Sequence, residues 1–150
     1  MKDIAKKANT MYLLEKYNMK ATKKFGQNFL IDLNVVQKIV DCTSIDQQTC
    51  VIEIGPGIGA LTEQLSYRAG HVVSYEIDTR LKDVLNESLQ ECTNVEVIFQ
   101  DFLTVDLKQV VHHYKQHYSK VCIVANLPYY ITSDILEHII ISQADIDSIH

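Results

Sequence analysis

The chain has 150 residues, 47% of them hydrophobic and 22% charged, with a net charge of −5; this is room for one domain with a real core, and the composition is that of an ordinary soluble protein. Apolar runs such as Val121–Ala125 and Ile139–Ile141 are far too short to cross a bilayer, and the N-terminus alternates Lys with apolar residues instead of forming the continuous apolar stretch of a signal peptide. The four cysteines (Cys42, Cys50, Cys92 and Cys122) show no C-x-x-C pairing, so free thiols in a reducing cytoplasm are expected in place of a disulfide framework or a zinc site.

Residues 3–17 have helical spacing, with Ile4, Ala8, Met11, Tyr12 and Leu14 able to share a face. Residues 1–24 hold seven lysines against Asp3 and Glu15, a local charge of +5, while the other residues carry −10. A basic arm on an acidic body can dock on a phosphate backbone; a solvated amphipathic helix accounts for the same lysines. A polar-aromatic connection follows over residues 18–31, and Asp32 is placed to cap a helix burying Val35, Val36, Ile39 and Val40.

From there short β-branched runs alternate with amphipathic helices. Cys50–Ile54, Val72–Glu76, Val95–Phe99 and Val121–Ala125 read as strands. Between them lie helical patterns on Leu61 and Leu65 (ended by Gly70), on Leu81, Val84, Leu85 and Leu89, and on Leu107, Val110, Val111 and Tyr114. A last helix starts at Thr132 or Ser133 and carries Ile135, Leu136, Ile139 and Ile140. This alternation predicts a parallel, doubly wound α/β sheet with helices on both faces. Asp145–His150 does not read as a domain end, and four strands leave one sheet edge incomplete, so the chain reads as part of a longer protein.

The segment Glu53-Ile54-Gly55-Pro56-Gly57-Ile58-Gly59-Ala60 is a strand entering a glycine-rich turn and then a helix, the setting of a nucleotide-binding turn. Glycine lets the backbone turn sharply and lets a ligand approach without a Cβ in the way. The spacing is G-x-G-x-G without a P-loop Lys-Ser/Thr, and Pro56 removes an amide. A ligand without a pyrophosphate is favoured. Glu76, 21 residues after Gly55, ends the second strand where an acid can accept ribose hydroxyls. Asp101 ends the third strand and can bond an adenine amino group. Taken singly, each acid reads as a solvated strand end or a helix cap; two at successive strand ends point to a ligand.

The fourth strand ends in Asn126-Leu127-Pro128-Tyr129. The Asn126 side-chain oxygen and the Leu127 carbonyl can accept the two hydrogens of an exocyclic amine, Pro128 stiffens the turn, and Tyr129 offers a flat face for a base. His113 and His117 are four apart on a helical segment; with nothing to complete a metal site, they read as an exposed polar face.

These segments resemble the rRNA adenine N6-dimethyltransferase family. The resemblance rests on Lys24-Phe25-Gly26-Gln27-Asn28-Phe29-Leu30, the glycine turn through Thr62, Glu76-Ile77-Asp78, Asp101-Phe102 and Asn126-Leu127-Pro128-Tyr129, in family order over residues 20 to 140. It implies a Rossmann-like class I S-adenosylmethionine-dependent methyltransferase fold, with a truncated sheet. Residues 1–19 would be a basic helical extension and residues 20–150 the front of the methyltransferase domain; the rest of the sheet and a helical RNA-binding domain would lie beyond. The resemblance implies S-adenosylmethionine as cofactor and S-adenosylhomocysteine as product. Gln27, Asn28 and Leu30 would close over it, Gly55 and Gly57 line its methionine portion, Glu76 and Ile77 hold the ribose side, and Asp101 with Phe102 the adenine. Phe25 either helps to cover the site or, like Phe29, simply packs. Asn126, Leu127, Pro128 and Tyr129 would position the target base, with Asn126 also among the cofactor-binding residues.

Within the family, the Gly-Pro-Gly turn and Asn-Leu-Pro-Tyr look most like the bacterial branch that dimethylates two adjacent adenosines near the 3′ end of small-subunit rRNA. The implied partner is that rRNA in the assembling subunit, with a cytoplasmic, monomeric protein and neither metal nor membrane. The large-subunit resistance methyltransferases, a non-catalytic ribosome-assembly factor and a nicotinamide-dependent dehydrogenase are the alternatives. The glycine spacing and the Asn-Leu-Pro-Tyr turn count against the dehydrogenase.

Overall fold

The computed structural model of the chain describes residues 1–20, 29, 32–127 and 129–150, without the side chains of 129 and 130. In chain order the elements are α1 (Lys7–Lys16), α2 (Leu33–Asp41), β1 (Thr49–Ile54), α3 (Ala60–Ser66), β2 (His71–Glu76), α4 (Lys82–Ser88), β3 (Val95–Phe99), α5 (Leu107–Lys115), β4 (Lys120–Ala125), α6 (Tyr129–Ser142) and β5 (Ser148–Ile149). Single 3₁₀ turns at Thr79–Leu81 and Phe102–Thr104 lead out of β2 and β3.

The strands form one parallel sheet in the order β3-β2-β1-β4-β5. This is the doubly wound order, and it reverses direction between β1 and β4. Successive strand residues point to opposite faces, so the sheet divides its apolar side chains between two cores. Val51, Val72 and Val124 pack with α2, α3 and α4 through Val36, Val40, Leu61, Leu65, Val84 and Leu85. Cys50, Ile52, Val73, Val121 and Ile123 pack with α5 and α6 through Leu107, Val111 and Ile139. Both faces are covered, which is why the strands read as near-continuous apolar runs. Asp32 caps α2 by accepting from the Asn34 amide at 2.7 Å.

Several details depart from the sequence expectations. α1 does not bury Ala8, Met11 and Tyr12; all three are exposed, and Thr10 and Leu13 face inward. Ile4 and Ala5 are buried but precede the helix, so they do not share its register. The Thr10 hydroxyl donates to the Ile4 carbonyl at 2.8 Å, and the Ile4 amide to the Glu63 carboxylate at 3.0 Å. Leu13 and Ile4 thereby become part of the first core, and the N-terminal segment packs on the sheet's own helices. Val35 is exposed on α2. α6 starts three residues before Thr132, directly after a proline that hinders helix only upstream of itself.

β5 is a fifth strand that four-strand counting missed, because two residues are too short for a periodic signal. It is bonded to β4 through Asp147 N to Val121 O (2.9 Å) and His150 N to Ile123 O (2.8 Å). Asp147 adds a carboxylate bond from the Val121 amide at 2.8 Å and an ion pair with Lys115 at 2.5 Å.

Gly70 is not needed as a helix terminator, since α3 ends at Ser66. It is needed for space: a Cβ there would sit 2.3 Å from the Gln47 carbonyl oxygen. Gly70→Ala should therefore lower stability by about 2–3 kcal/mol through a backbone clash. Urea unfolding of the two proteins will measure this, and an unchanged midpoint would show that the Gln47 turn moves aside freely.

Candidate functional site

In an open parallel sheet the strand carboxyl ends at the reversal of strand order leave a crevice. Ile54 is in register with Tyr75 on one side and Ala125 on the other, and Glu76 with Phe99. Gly55, Glu76, Asp101 and Asn126, each one or two residues beyond those positions or at the strand end itself, therefore share one edge.

The glycine turn has left-handed backbone at Gly55 (φ 72°), Gly57 (φ 58°) and Gly59 (φ 95°), conformations that a Cβ opposes. A Cβ on Gly55 would stand 3.4 Å from Leu127 Cδ2, and one on Gly57 3.7 Å from the Phe29 ring. The turn thus runs between the Asn-Leu segment after β4 and the end of the N-terminal connection. Phe29 packs in the first core and faces Gly57 at once. Behind the turn, Ser88 Oγ donates to the Ile58 carbonyl at 2.8 Å.

Glu76 is 4% exposed. One carboxylate oxygen accepts the Gly57 amide and the other the Asp78 amide, both at 3.0 Å. Burial pushes its carboxyl above the ordinary range, against the pull of these two N–H groups. It is a brace for the turn. Asp78 is itself buried and pairs with Arg80 through Nε at 3.0 Å and a terminal nitrogen at 2.7 Å. Ile77, between the two acids, is exposed.

Asp101 accepts from the Leu103 amide at 3.0 Å and caps the 3₁₀ turn. Phe102 is buried, its ring edge-to-face with Tyr75 (5.7 Å) and His138 (5.5 Å). Its side chain is committed to the second core, which leaves its backbone as the part that faces the edge. Asn126 is exposed, and Leu127 is half-buried against the second core. Tyr129 is the first residue of α6. Gln27, Asn28, Leu30, Phe25 and Pro128 lie outside the described residues. His113 and His117 stack edge-to-face at 5.6 Å, away from this edge on α5 and just beyond it.

The sequence reading passed over Glu53, although a charge within Val51-Ile52-Glu53-Ile54 was its signal: a buried acid in a central strand needs partners. It is 1% exposed, and its Oε1 accepts from Thr62 Oγ1 (2.5 Å) on α3 and Ser74 Oγ (2.7 Å) on β2. Burial pushes its carboxyl up to about 7, the two hydroxyls holding it down only partly.

The family model of ribosomal RNA adenine dimethylase matches residues 18–150. The chain belongs to the ribosomal RNA adenine dimethylase family. It is 49% identical over 146 residues to ribosomal RNA small subunit methyltransferase A of Staphylococcus aureus (strain Newman), covering 97% of this chain and 49% of that protein. The chain thus spans about half the length of the curated relatives it matches. Among solved structures, the 23S rRNA methyltransferase ErmE superposes with a TM-score of 0.63 at 34% identity, over 81% of this chain and 45% of the other. A dimethyladenosine transferase from Plasmodium falciparum gives 0.58 at 26% identity, over 75% and 38%. The fold is that of the class I methyltransferases, as the resemblance implied.

A carboxyl whose pKa is higher in the folded protein than in the unfolded chain keeps its proton longer when folded. Raising the pH from 4.5 to about 7 therefore favours unfolding at Glu53. Glu53→Gln, compared with the wild type, should gain relative stability across this window, by at most about 3 kcal/mol, and level off above it. Urea midpoints at pH 5 and pH 8 will show this; parallel pH profiles would mean that Glu53 is ionised throughout.

Proposed function

We propose that this chain is the cofactor-binding and base-positioning part of an enzyme that methylates N6 of adenosines in small-subunit rRNA. The observation that carries the reading is the meeting of the glycine turn, Glu76, Asp101 and Asn126–Leu127 at one sheet edge, with Leu127 against Gly55. The 49% identity to a small-subunit enzyme, against 34% to a 23S rRNA methyltransferase, supports the small-subunit branch. Such a substrate places the protein in the cytoplasm, where subunits assemble. Among the described residues no helix is long and apolar enough to cross a membrane.

S-adenosylmethionine, when bound, supplies an electrophilic methyl group, and this edge suits it. The left-handed Gly55 and Gly57 give the turn a shape that a Cβ opposes, and the buried Glu76 carboxylate is the acceptor that would face its ribose. Gly55 and Gly57 would line the chain of the amino acid, Glu76 would accept from the ribose hydroxyls, and Ile77 would supply an apolar face. Asp101 and the Phe102 backbone would meet the adenine, and the resemblance assigns closure over the cofactor to Gln27, Asn28 and Leu30.

For the target base, the Asn126 side-chain oxygen and the Leu127 carbonyl accept the amine hydrogens. That aims the nitrogen lone pair toward the methyl donor, an orientation effect and not an acid–base one. The base has to leave its stack to reach this turn, where the resemblance assigns Tyr129 the stacking role. The proton lost from the methylated amine passes to water or a carbonyl.

Calorimetry on this chain should show S-adenosylhomocysteine binding that Glu76→Ala weakens by about 10- to 100-fold, the worth of a charged hydrogen-bond acceptor. An unchanged affinity would remove Glu76 from the site. In the longer protein containing this chain, labelled methyl should enter adenosines of unmethylated small subunits. Asn126→Ala should cut transfer at least about 100-fold, with cofactor affinity preserved. Label confined to large subunits would move the protein to the 23S branch; no transfer to either would favour the assembly-factor role.

A further inference from the structure

α6 carries the base-positioning turn at its N-terminus, so the placement of this helix decides where that turn sits. Its inward stripe is mostly half-buried: Ile139 is buried, and Ile131, Thr132, Ile135, His138 and Ser142 are half-buried, whereas Leu136, Ile140 and Ile141 are exposed. Apolar contact of this kind is non-directional and lets a helix slide or rotate at small cost. His138 adds direction. Its Nε2 lies 3.0 Å from the Val105 carbonyl oxygen; a carbonyl only accepts, so Nε2 is the protonated, donating nitrogen.

The same imidazole stands edge-to-face on Phe102 (5.5 Å, 79°), and Phe102 on Tyr75 (5.7 Å, 63°), within the range of favourable ring pairs. Each ring is tied to a site segment. Tyr75 precedes Glu76, Phe102 follows Asp101, and His138 lies on the helix that follows Asn126–Leu127. The stack therefore runs beneath both cofactor-side acids and ends on the helix of the base-side turn.

We propose that His138 is a positioning residue that couples the two halves of the site, locking α6 to the Asp101–Val105 turn so that ordering of that turn by cofactor is transmitted to the base-positioning turn. The coupling part rests on the methyltransferase reading above; the tie itself does not. His138 touches neither reacting group and acts through the placement of α6.

The test is hydrogen exchange on this chain with His138→Phe, which keeps a ring but loses the donor, and His138→Gln, which keeps a donor near the Nε2 position. The amides of Ser133–Glu137 report α6, since helical amides bond to carbonyls four residues earlier. Without ligand, His138→Phe should speed their exchange about five- to tenfold, the worth of one hydrogen bond in a local opening. His138→Gln should restore slow exchange, and amides of β1 should be unaffected in both. Equal exchange in wild type and His138→Phe would overturn the tie.

With saturating S-adenosylhomocysteine, protection should appear at Leu103–Val105 in all three proteins. It should extend to Ser133–Glu137 in the wild type and His138→Gln but not in His138→Phe. Protection at Leu103–Val105 without any gain in wild-type α6 would overturn the coupling and leave the cofactor reading intact. No protection anywhere would overturn the cofactor reading and the coupling with it, the ligand-free result still deciding whether His138 ties the helix.

Discussion

The carboxylate of Glu76 takes one amide proton from the glycine turn and one from the loop after its own strand, on separate oxygens. Three left-handed glycines in a row of five residues have little reason to hold one shape by themselves. The bond from Gly57 joins the turn after β1 to the end of β2 and gives the edge a defined form. The arrangement has a cost, since a buried carboxylate is desolvated, and its raised pKa records that cost. The two N–H groups offset it and hold the turn against the end of β2.

Two more buried carboxylates do similar work elsewhere in the first half of the chain. Glu53 joins β1 to α3 and β2 through two hydroxyls, and Glu63 takes the amide of Ile4 and so fastens the N-terminal segment. In both, burial raises the carboxyl pKa. Apolar packing makes the two cores adhere to the sheet, but it specifies direction poorly. Buried polar groups penalise every arrangement that leaves them unpaired, and these three acids fix the glycine turn, the helix behind it and the segment that crosses that helix. The Asn126–Leu127 side of the edge has a different support, a ring stack and an imidazole–carbonyl bond reaching α6.

The sequence by itself determined the alternation of strands and helices, four of the five strands to within a residue, the Asp32 cap, and the placement of Gly55, Glu76, Asp101 and Asn126 at strand ends. These are local properties: a period of two or 3.6 residues, a capping side chain, a glycine at a strand end. Only the tertiary structure decided which face of α1 turns inward, because Thr10 answers to Ile4 and Ile4 to Glu63, 59 residues along the chain. It alone showed that Gly70 makes room for Gln47, that Glu53 is held between Thr62 and Ser74, that the Phe102 ring belongs to the core, and that Ser148–Ile149 pairs with β4. In each case at least one deciding partner lies beyond the local repeat, and the requirement that buried polar groups be paired and backbone atoms not collide operates only once the chain has brought them together.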